Sequence, residues 1–325
     1  MESLKALPRL VRRQFKAAQE AGDLTFYSTQ VSILRCNDLP FQLRFSPTLA
    51  NKPKAKKSEG NSKPVDPFET PQKGLFITNL EPSHYLVLNK FPVIPNHFIL
   101  ATTTFKEQTD LLEEADIGAA YKCLDAYRQN GEELFGFFNS GDFSGASQAH
   151  RHIQFLPVES MRSGIEPSEE WSVLADSLLN QRDLPFTYFA SEISRDATPG
   201  QLHELYVKMH QQACLASEKY QISSPTGTPL ISKSTRDHES PISYNLGFTD
   251  RVMLLCPRVS EGLEIENADG KKIGPIALNG TVLGGTLLVK SEGEWQTLQN
   301  DSSKLQHILG AIGIPPAASS HNEHL

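Results

Sequence analysis

Short apolar runs, separated by Pro, Asn and Ser, follow one another through the first half of the chain. Residues 74–79, 85–90 and 97–102 are three such runs, rich in β-branched, aromatic and leucine side chains. This composition favours strands, and the turn-forming residues between the runs favour antiparallel connections. Runs 135–139 and 152–157 have the same character. We therefore predict one antiparallel sheet.

A helix is predicted between the third and fourth of these strands. Apolar residues between positions 110 and 129 recur close to the helical period and share one face. They are Ile117, Ala120, Tyr121, Leu124 and Tyr127. Strands followed by a helix and a second hairpin predict an α+β domain, not an alternating parallel βαβ series.

The second part of the chain repeats the order helix, strands, helix. A helical apolar face begins after Pro199, and strands are predicted at 244–248, 252–256 and 283–289. A closing helix is predicted to end at Gly310. Near the N-terminus, a helix end before Gly22 and Asp23 leads into a predicted strand at 24–29.

Composition shifts suggest where the domains divide. Charged and helix-forming pieces alternate with prolines from residue 159 to 200, so we predict domains over 1–190 and 199–325. Residues 51–72 hold five lysines and four prolines, which is typical of a mobile surface loop.

Charge and cysteine content narrow the function. The chain has 325 residues and a net charge of −7, so no overall positive field attracts nucleic acid or an anionic membrane. The N-terminus lacks the apolar run of a signal peptide, and no segment approaches the ~18 apolar residues of a membrane span. Four dispersed cysteines suggest neither a disulfide framework nor a zinc-thiolate site. We expect an intracellular protein, cytoplasmic or also nuclear.

The segment 150–154, His-Arg-His-Ile-Gln, carries the candidate chemistry. On a strand, His150, His152 and Gln154 share one face, about 6.6 Å apart, and can line a polyphosphate. A neutral imidazole, with a reference pKa of about 6.5, attacks a phosphoanhydride without a separate base. We expect His152 to attack phosphorus and hold a nucleotide as a phosphoramidate. His150 would orient or assist, and the Gln154 amide would hold a phosphate oxygen.

The same pattern has other interpretations. Two histidines on a strand are often hydrogen-bonded core or surface residues, and a zinc site would need a third protein ligand that the sequence does not reveal. The preceding Gly/Ser-rich segment 139–147 either converges its backbone N–H groups on phosphate or is a plain hairpin connection. His97 either faces the site or simply begins a strand.

These motifs resemble a known family. The segments 88–97, 139–141, 144–147 and 150–154 are similar to those of the diadenosine tetraphosphate phosphorylases, or ATP adenylyltransferases, of the histidine-triad superfamily. The similarity continues through 244–246, 257–258, 279–281 and Lys290, but residues 159–198 match only vaguely.

The resemblance implies a fold and a reaction. The fold would be a histidine-triad-like antiparallel sheet with packed helices, and a C-terminal α/β part would complete the nucleotide site. The reaction would be reversible phosphorolysis of diadenosine tetraphosphate by inorganic phosphate to ATP and ADP. His152 would form the adenylyl-enzyme, and Gln154 would take the place of the triad's third histidine.

The resemblance also implies substrate contacts on both parts of the chain. By position these are Lys52, Asn89, Lys90, Asn139, Ser144, Gly145, Ala146, Ser147, Gln154, Asn279, Gly280, Thr281, Thr286 and Lys290. Two positions depart from the family pattern, since Ala146 replaces a frequent hydroxyl and Thr286 replaces an expected Met. Without the resemblance, Lys90 would be interpreted as a solvated lysine at a strand end.

Three further expectations follow. The partners are small nucleotides and phosphate, and the protein is a monomer. Any divalent cation such as Mg²⁺ would be chelated by the polyphosphate and not by protein ligands. The alternatives are a dinucleotide hydrolase, a hexose-1-phosphate uridylyltransferase relative, or a nucleotide-binding protein without turnover.

Overall fold

The computed structural model describes residues 4–48, 66–180, 183–224, 229–232 and 236–316. Most of the predicted 51–72 loop, including the predicted substrate contact Lys52, lies outside the described residues.

The described chain alternates helices and strands. The strands are β1 Gln30–Cys36, β2 Leu39–Phe45, β3 Phe76–Leu80, β4 His84–Leu88, β5 Phe98–Thr102, β6 Leu134–Ser140, β7 His152–Pro157, β8 Phe189–Glu192, β9 Ser243–Phe248, β10 Val252–Arg258, β11 Gly262–Glu266, β12 Lys272–Ala277 and β13 Thr286–Val289. The helices are α1 Leu7–Ala21, α2 Glu114–Arg128, α3 Val158–Met161, α4 Leu174–Ser177, α5 Pro199–Ser223, α6 Glu292–Asn300 and α7 Ser303–Ile312. Turns of 3₁₀ helix cover Leu4–Ala6, Leu178–Asn180 and Gly280–Gly284.

An eight-stranded antiparallel sheet forms the centre of the molecule. Its strand order is β3-β4-β5-β7-β6-β9-β10-β8, so β7 lies in the interior between β5 and β6. The pairing of β6 with β9 joins strands from both predicted parts of the chain. A smaller sheet places β13 parallel to β2 and on the opposite side of β2 from β1, and β11 and β12 form a hairpin.

Two apolar clusters cover the two faces of the central sheet. Ile153 and Phe155 of β7 belong to the cluster that also contains α2 and α5 side chains, and Phe155 stacks on Phe98 at 5.0 Å. Phe135 and Phe137 of β6 belong to the second cluster. The predicted common face of His152 and Gln154 is therefore confirmed, because Ile153 and Phe155 pack into the core on the opposite face of the strand.

Three local predictions differ from the structure. Residues 24–29 form no strand; Thr25 and Tyr27 donate backbone hydrogen bonds to the carbonyls of Lys90 and Pro92. In the predicted strand 283–289, a 3₁₀ turn capped by Asn279 occupies the start, and pairing begins only at Thr286. Helix α7 continues past Gly310 to Ile312, because both Ile308 and Ile312 pack into the core.

No helix in the described ranges has the length and apolar character needed to cross a bilayer.

Candidate active site

His152 begins β7, and its ring is fixed by a local hydrogen bond. Its Nδ1 lies 2.9 Å from the carbonyl oxygen of His150. A carbonyl oxygen can only accept, so Nδ1 carries the hydrogen and Nε2 keeps its lone pair in the neutral ring. The His152 backbone N–H donates to Oε1 of Gln108 at 2.8 Å, and the Gln108 amide donates to the Asn139 carbonyl at 2.8 Å. Gln108 thus joins β7 to β6.

The surroundings of His152 keep it uncharged. Burial lowers the pKa of His152 to about 4, so the ring is neutral at neutral pH. The Phe68 ring lies over it, with the ring centroids 5.1 Å apart. The predicted nucleophile is therefore a neutral imidazole of defined tautomer.

The His150 ring is held at both nitrogens. Its Nδ1 lies 2.7 Å from a carboxylate oxygen of Asp66, and its Nε2 lies 2.9 Å from the carbonyl oxygen of Thr102. Phe68 and Phe105 contact the ring edge-on. Since both nitrogens are engaged and the His150 carbonyl binds His152, the geometry favours the orienting role for His150 over direct assistance.

Gln154, the third residue on this face, contacts a second buried histidine. Its Oε1 lies 3.1 Å from Nε2 of His97. The other His97 nitrogen, Nδ1, lies 3.2 Å from the amide nitrogen of Asn89. Burial lowers the pKa of His97 to about 4. Of the two sequence-based alternatives for His97, the structure therefore supports the one in which it faces the site.

Asn139, at the end of β6, connects the two parts of the chain. Its Oδ1 accepts from the amide of Asn245 on β9 at 2.9 Å and from the backbone N–H of Gly280 at 2.8 Å. A Cβ at position 280 would lie 2.7 Å from that oxygen, so the contact requires glycine. Behind them, the buried Arg258 donates to Oδ1 of Asn245 and to several backbone carbonyls, among them that of Leu278.

The loop 144–147 is a structured turn that packs against Leu278 and Asn279. The Ser144 hydroxyl donates to the Gly141 carbonyl at 2.6 Å and accepts from the Ala146 N–H at 3.2 Å. Gly145 has φ +76°, and a Cβ there would lie 2.8 Å from the Cβ of Asn279. Ala146 and Ser147 are exposed. The loop therefore packs closely against Asn279.

The remaining predicted contacts vary in position. Asn279 caps the 3₁₀ turn by accepting from the Thr281 backbone N–H at 3.0 Å and hydroxyl at 2.8 Å. Thr286 is only 3% exposed, and its hydroxyl lies 3.4 Å from Oε1 of Gln42 in the smaller sheet. Lys290 is exposed at the end of β13, and the Lys90 ammonium donates to Gln72 at 3.1 Å. The structure thus brings the histidine strand, Asn139, the 144–147 loop and Asn279 together, but gives no contact from Lys290 to this group.

Sequence reasoning missed four residues that hold the histidines. Asp66 and Phe68 follow the lysine-rich stretch, and the isolated aromatic residue in that polar segment was the available signal. Thr102 and Gln108 gave no signal, because nothing in a lone threonine or glutamine specifies a partner more than 40 residues away; the Gln108 and His152 pair is separated by 44.

The back of β7 holds a buried ion network. Arg151 donates to Asp116 at 2.8 Å and to Glu113 at 3.1 Å, and Asp116 lies 2.8 Å from Nε2 of His84. Burial alone would raise the pKa of Asp116, but the His84 hydrogen bond and the Arg151 charge lower it overall. The network ties the N-terminus of α2 to the start of β7.

Comparison with known proteins identifies the family of the chain. Residues 2–169 match the Ap4A phosphorylase N-terminal domain, and residues 182–315 match the ATP adenylyltransferase C-terminal domain. The chain is 28% identical over 339 residues to diadenosine 5',5'''-P1,P4-tetraphosphate phosphorylase 2 of Saccharomyces cerevisiae, with 96% of each chain covered. It is 27% identical to Protein APA1 of the same organism, with 94% of each covered.

Solved structures show the same fold. The crystal structure of yeast Ap4A phosphorylase Apa2 has a TM-score of 0.74 at 24% identity, covering 99% of this chain and 98% of that one. The complex of the yeast protein with Ap4A, diadenosine tetraphosphate, has a TM-score of 0.74 at 24% identity, covering 98% and 99%. The α+β fold and the family resemblance predicted from the sequence are both confirmed. The chain therefore belongs to the family of Ap4A phosphorylases and ATP adenylyltransferases, and it is a nucleotidyltransferase.

Proposed function

We propose that the protein catalyses the reversible phosphorolysis of Ap4A by inorganic phosphate to ATP and ADP, through an adenylyl group on His152. The observation that carries the proposal is the fixed tautomer of His152, with Nδ1–H on the His150 carbonyl and Nε2 unprotonated. The yeast relative has been crystallised with AMP and with Ap4A, which supports a substrate of this class.

In the first step, Nε2 of His152 attacks the phosphorus next to one adenosine. The N–P bond forms, the bond from that phosphorus to the bridging oxygen breaks, and ATP leaves with the bond's electron pair. The adenylylated ring is positively charged, and its Nδ1–H still donates to the His150 carbonyl. This contact stabilises the charge as it develops.

In the second step, an oxygen of inorganic phosphate attacks the adenylyl phosphorus. The N–P bond breaks, ADP forms, and the electron pair returns to Nε2 of His152. No proton is removed from the imidazole in either direction, so the cycle needs no separate general base.

The polar groups around His152 suit an anionic substrate. The Asn139 and Asn279 side-chain oxygens both accept hydrogen bonds from protein donors, so their NH₂ groups are the parts left for a ligand. NH₂ groups bind phosphate oxygens and cannot ligate a cation. A divalent ion, if the reaction uses one, would arrive on the polyphosphate oxygens.

The test is a product assay with and without phosphate. Ap4A plus phosphate should give ATP and ADP, and Ap4A labelled in the adenosine should leave an acid-labile adduct on His152 when phosphate is withheld. ATP and AMP formed without phosphate would overturn the proposal in favour of a hydrolase. Binding of Ap4A with no product and no adduct would overturn it in favour of a protein without turnover.

The chemical role of Gln154 has its own test. Gln154→His restores the third imidazole, and we expect water to compete with phosphate as the acceptor in this variant. The measured quantity is the ratio of AMP to ADP formed. An unchanged ratio would show that Gln154 does not select between water and phosphate as the acceptor.

A further inference from the structure

Three side chains between β4, β5 and β7 form a row that ends at the reacting strand. We call Asn89, His97 and Gln154 the amide–imidazole row. Asn89 follows β4, His97 precedes β5, and Gln154 lies on the same face of β7 as His152. The row begins at the backbone N–H of Phe91, which donates to Oδ1 of Asn89 at 2.8 Å.

The Phe91 N–H determines the direction of every hydrogen bond in the row. It can only donate, so Asn89 must present its oxygen to Phe91 and its NH₂ to His97. Nδ1 of His97 then accepts, and in the neutral ring Nε2 carries the hydrogen. Because Nε2–H donates, Gln154 must offer its oxygen to His97. The Gln154 NH₂ is thereby left for a ligand.

We propose that His97 is a positioning residue for the transfer reaction, holding the Gln154 carbonyl oxygen through its Nε2–H so that the Gln154 NH₂ meets the transferred phosphoryl group. The inference rests on the proposed function of the same site. A reversed Gln154 amide would place a carbonyl oxygen against phosphate oxygens, and two acceptors repel each other.

Few charged groups surround His97. It contacts the Phe137 ring on β6 and the amides of Asn89 and Gln154, and its titratable neighbour is His152 on β7. His152 is neutral above about pH 4. Between neutral and mildly acidic pH, each hydrogen bond of the wild-type row therefore keeps the same donor and the same acceptor.

The substitution Asn89→Asp tests the proposal with almost no change in shape. One carboxylate oxygen still accepts from the Phe91 N–H, but the other now requires a donor from His97. Neutral His97 satisfies it by moving its hydrogen to Nδ1, so Nε2 becomes an acceptor and Gln154 turns its NH₂ inward. Doubly protonated His97 satisfies both neighbours and keeps Gln154 as in the wild type.

The expected result depends on pH. At alkaline pH, Asn89→Asp should lower kcat for Ap4A phosphorolysis by about 10²-fold, the typical effect of losing one oxyanion donor. As pH falls, the introduced carboxylate favours protonation of His97, and the ratio of variant to wild-type kcat should recover. The His97 tautomer is read directly from the ¹⁵N shifts of its ring, assigned with His97→Gln. It should be Nε2–H in the wild type and Nδ1–H in the alkaline variant.

Asn96→Asp is the matched control. It adds the same charge one residue from His97, where the native amide donates to the Ser160 hydroxyl at 3.2 Å and not to the row. Asn96 has φ +60°, which aspartate also tolerates. This variant should show neither the tautomer change nor the recovery of kcat at low pH.

Three outcomes would overturn the proposal. They are an Nδ1–H tautomer of His97 in the wild type, an Asn89→Asp rate within twofold of wild type at every pH, or a loss with no recovery at low pH. If Asn89→Asp does not fold, Gln154→Glu replaces it, because glutamate still accepts from His97 but lacks the NH₂. A wild-type rate in Gln154→Glu would overturn the proposal.

The experiment distinguishes failure of the proposed function from failure of the inference about His97. If the wild type shows no phosphorolysis, AMP affinity replaces the rate as the readout. Asn89→Asp should then weaken AMP binding at alkaline pH and not at acidic pH, with the same tautomer change. AMP affinity that is independent of the substitution would overturn the inference by itself.

Discussion

The two faces of β7 hold polar groups of opposite kinds. On the site face, His152 and Gln154 are uncharged, and each is fixed by a hydrogen bond from or to a neutral group. On the opposite side, Arg151, the residue just before β7, forms a buried ion network with Asp116. The difference teaches that charge anchors the start of the strand on the side that packs against α2, away from His152 and Gln154. His152 and Gln154 themselves remain neutral, so a lone pair and an NH₂ group stay available on the site face.

Replacing the proposed nucleophile, His152, tests the site face most severely. We expect His152→Asn to lower kcat for phosphorolysis by ~10³-fold or more, because the variant lacks the unprotonated ring nitrogen that attacks phosphorus. Folding should persist, since the asparagine NH₂ can donate to the His150 carbonyl in place of Nδ1. The measurements are steady-state product formation, adduct formation and AMP binding. Residual activity within tenfold of wild type would contradict a covalent role for this ring.

Breaking the ion network tests the back face. Asp116→Asn leaves Arg151 and His84 buried without their carboxylate, and we expect the free energy of unfolding to fall by about 3–5 kcal/mol. Urea denaturation measures the change. Asp125→Asn on the same helix removes the partner of the partly exposed Arg128 and should cost no more than about 1 kcal/mol. Equal losses in the two variants would refute the contrast between the faces.

The elements were predictable from the sequence, but the partners in the site were only partly so. The period-two pattern of 150–154 correctly assigned His152 and Gln154 to one face and Phe155 to the other, because alternation is a property of any strand. The placement of His152 and of the Gln154 amide depends on Gln108 and His97, which are distant in sequence. Such pairings arise from strand order, and a single sequence does not reveal them.

Local interactions explain why two predicted strands, at 24–29 and 283–289, differ from the structure. Residues 24–29 have strand propensity, but they lie beside residues 90–92 and make only isolated backbone bonds there. At 283–289, the Asn279 cap and the glycines at 284 and 285 favour a 3₁₀ turn before the strand. Gly285 has φ +75°, a conformation that ends the turn and that glycine adopts without strain.

The burial of His152 on the site face also predicts how the free energy of unfolding depends on pH. Burial lowers the pKa of His152 to about 4, below the ~6.5 of an unfolded histidine. Between those values the unfolded chain binds the extra proton, so the contribution of this residue to stability is complete above about pH 6.5 and decreases as pH falls. Its expected slope is about 1.4 kcal/mol per pH unit.

The measurement is the unfolding free energy at several pH values in wild type and in His152→Asn. The difference between the two proteins should change by about 1.2 kcal/mol from pH 6 to pH 5, a little less than the limiting slope because the unfolded histidine is not yet fully protonated at pH 6. His97 and His210, whose pKa values burial also lowers to about 4, are present in both proteins and provide the common background. Parallel curves would show that His152 is not buried as described.

The smallest expected effect concerns the support of the His150 ring. Asp66→Asn keeps the shape of the contact but weakens the hydrogen bond to Nδ1, and we expect kcat to fall about 3- to 10-fold. Glu69→Gln removes the same charge from an exposed position three residues later and should leave kcat unchanged. A larger loss of kcat in Glu69→Gln than in Asp66→Asn would show that the loss comes from a change in local charge and not from a change in the orientation of the His150 ring.

The join between β6 and β9 also bears on how the enzyme is assembled. The N-terminal family segment supplies Asn139, and the C-terminal segment supplies Asn245 and Gly280, all meeting across this single strand pair. Neither segment expressed alone contains all three of these residues. Two co-expressed fragments would regain activity only if β6 of one paired with β9 of the other. Activity would therefore report whether this strand pair has formed.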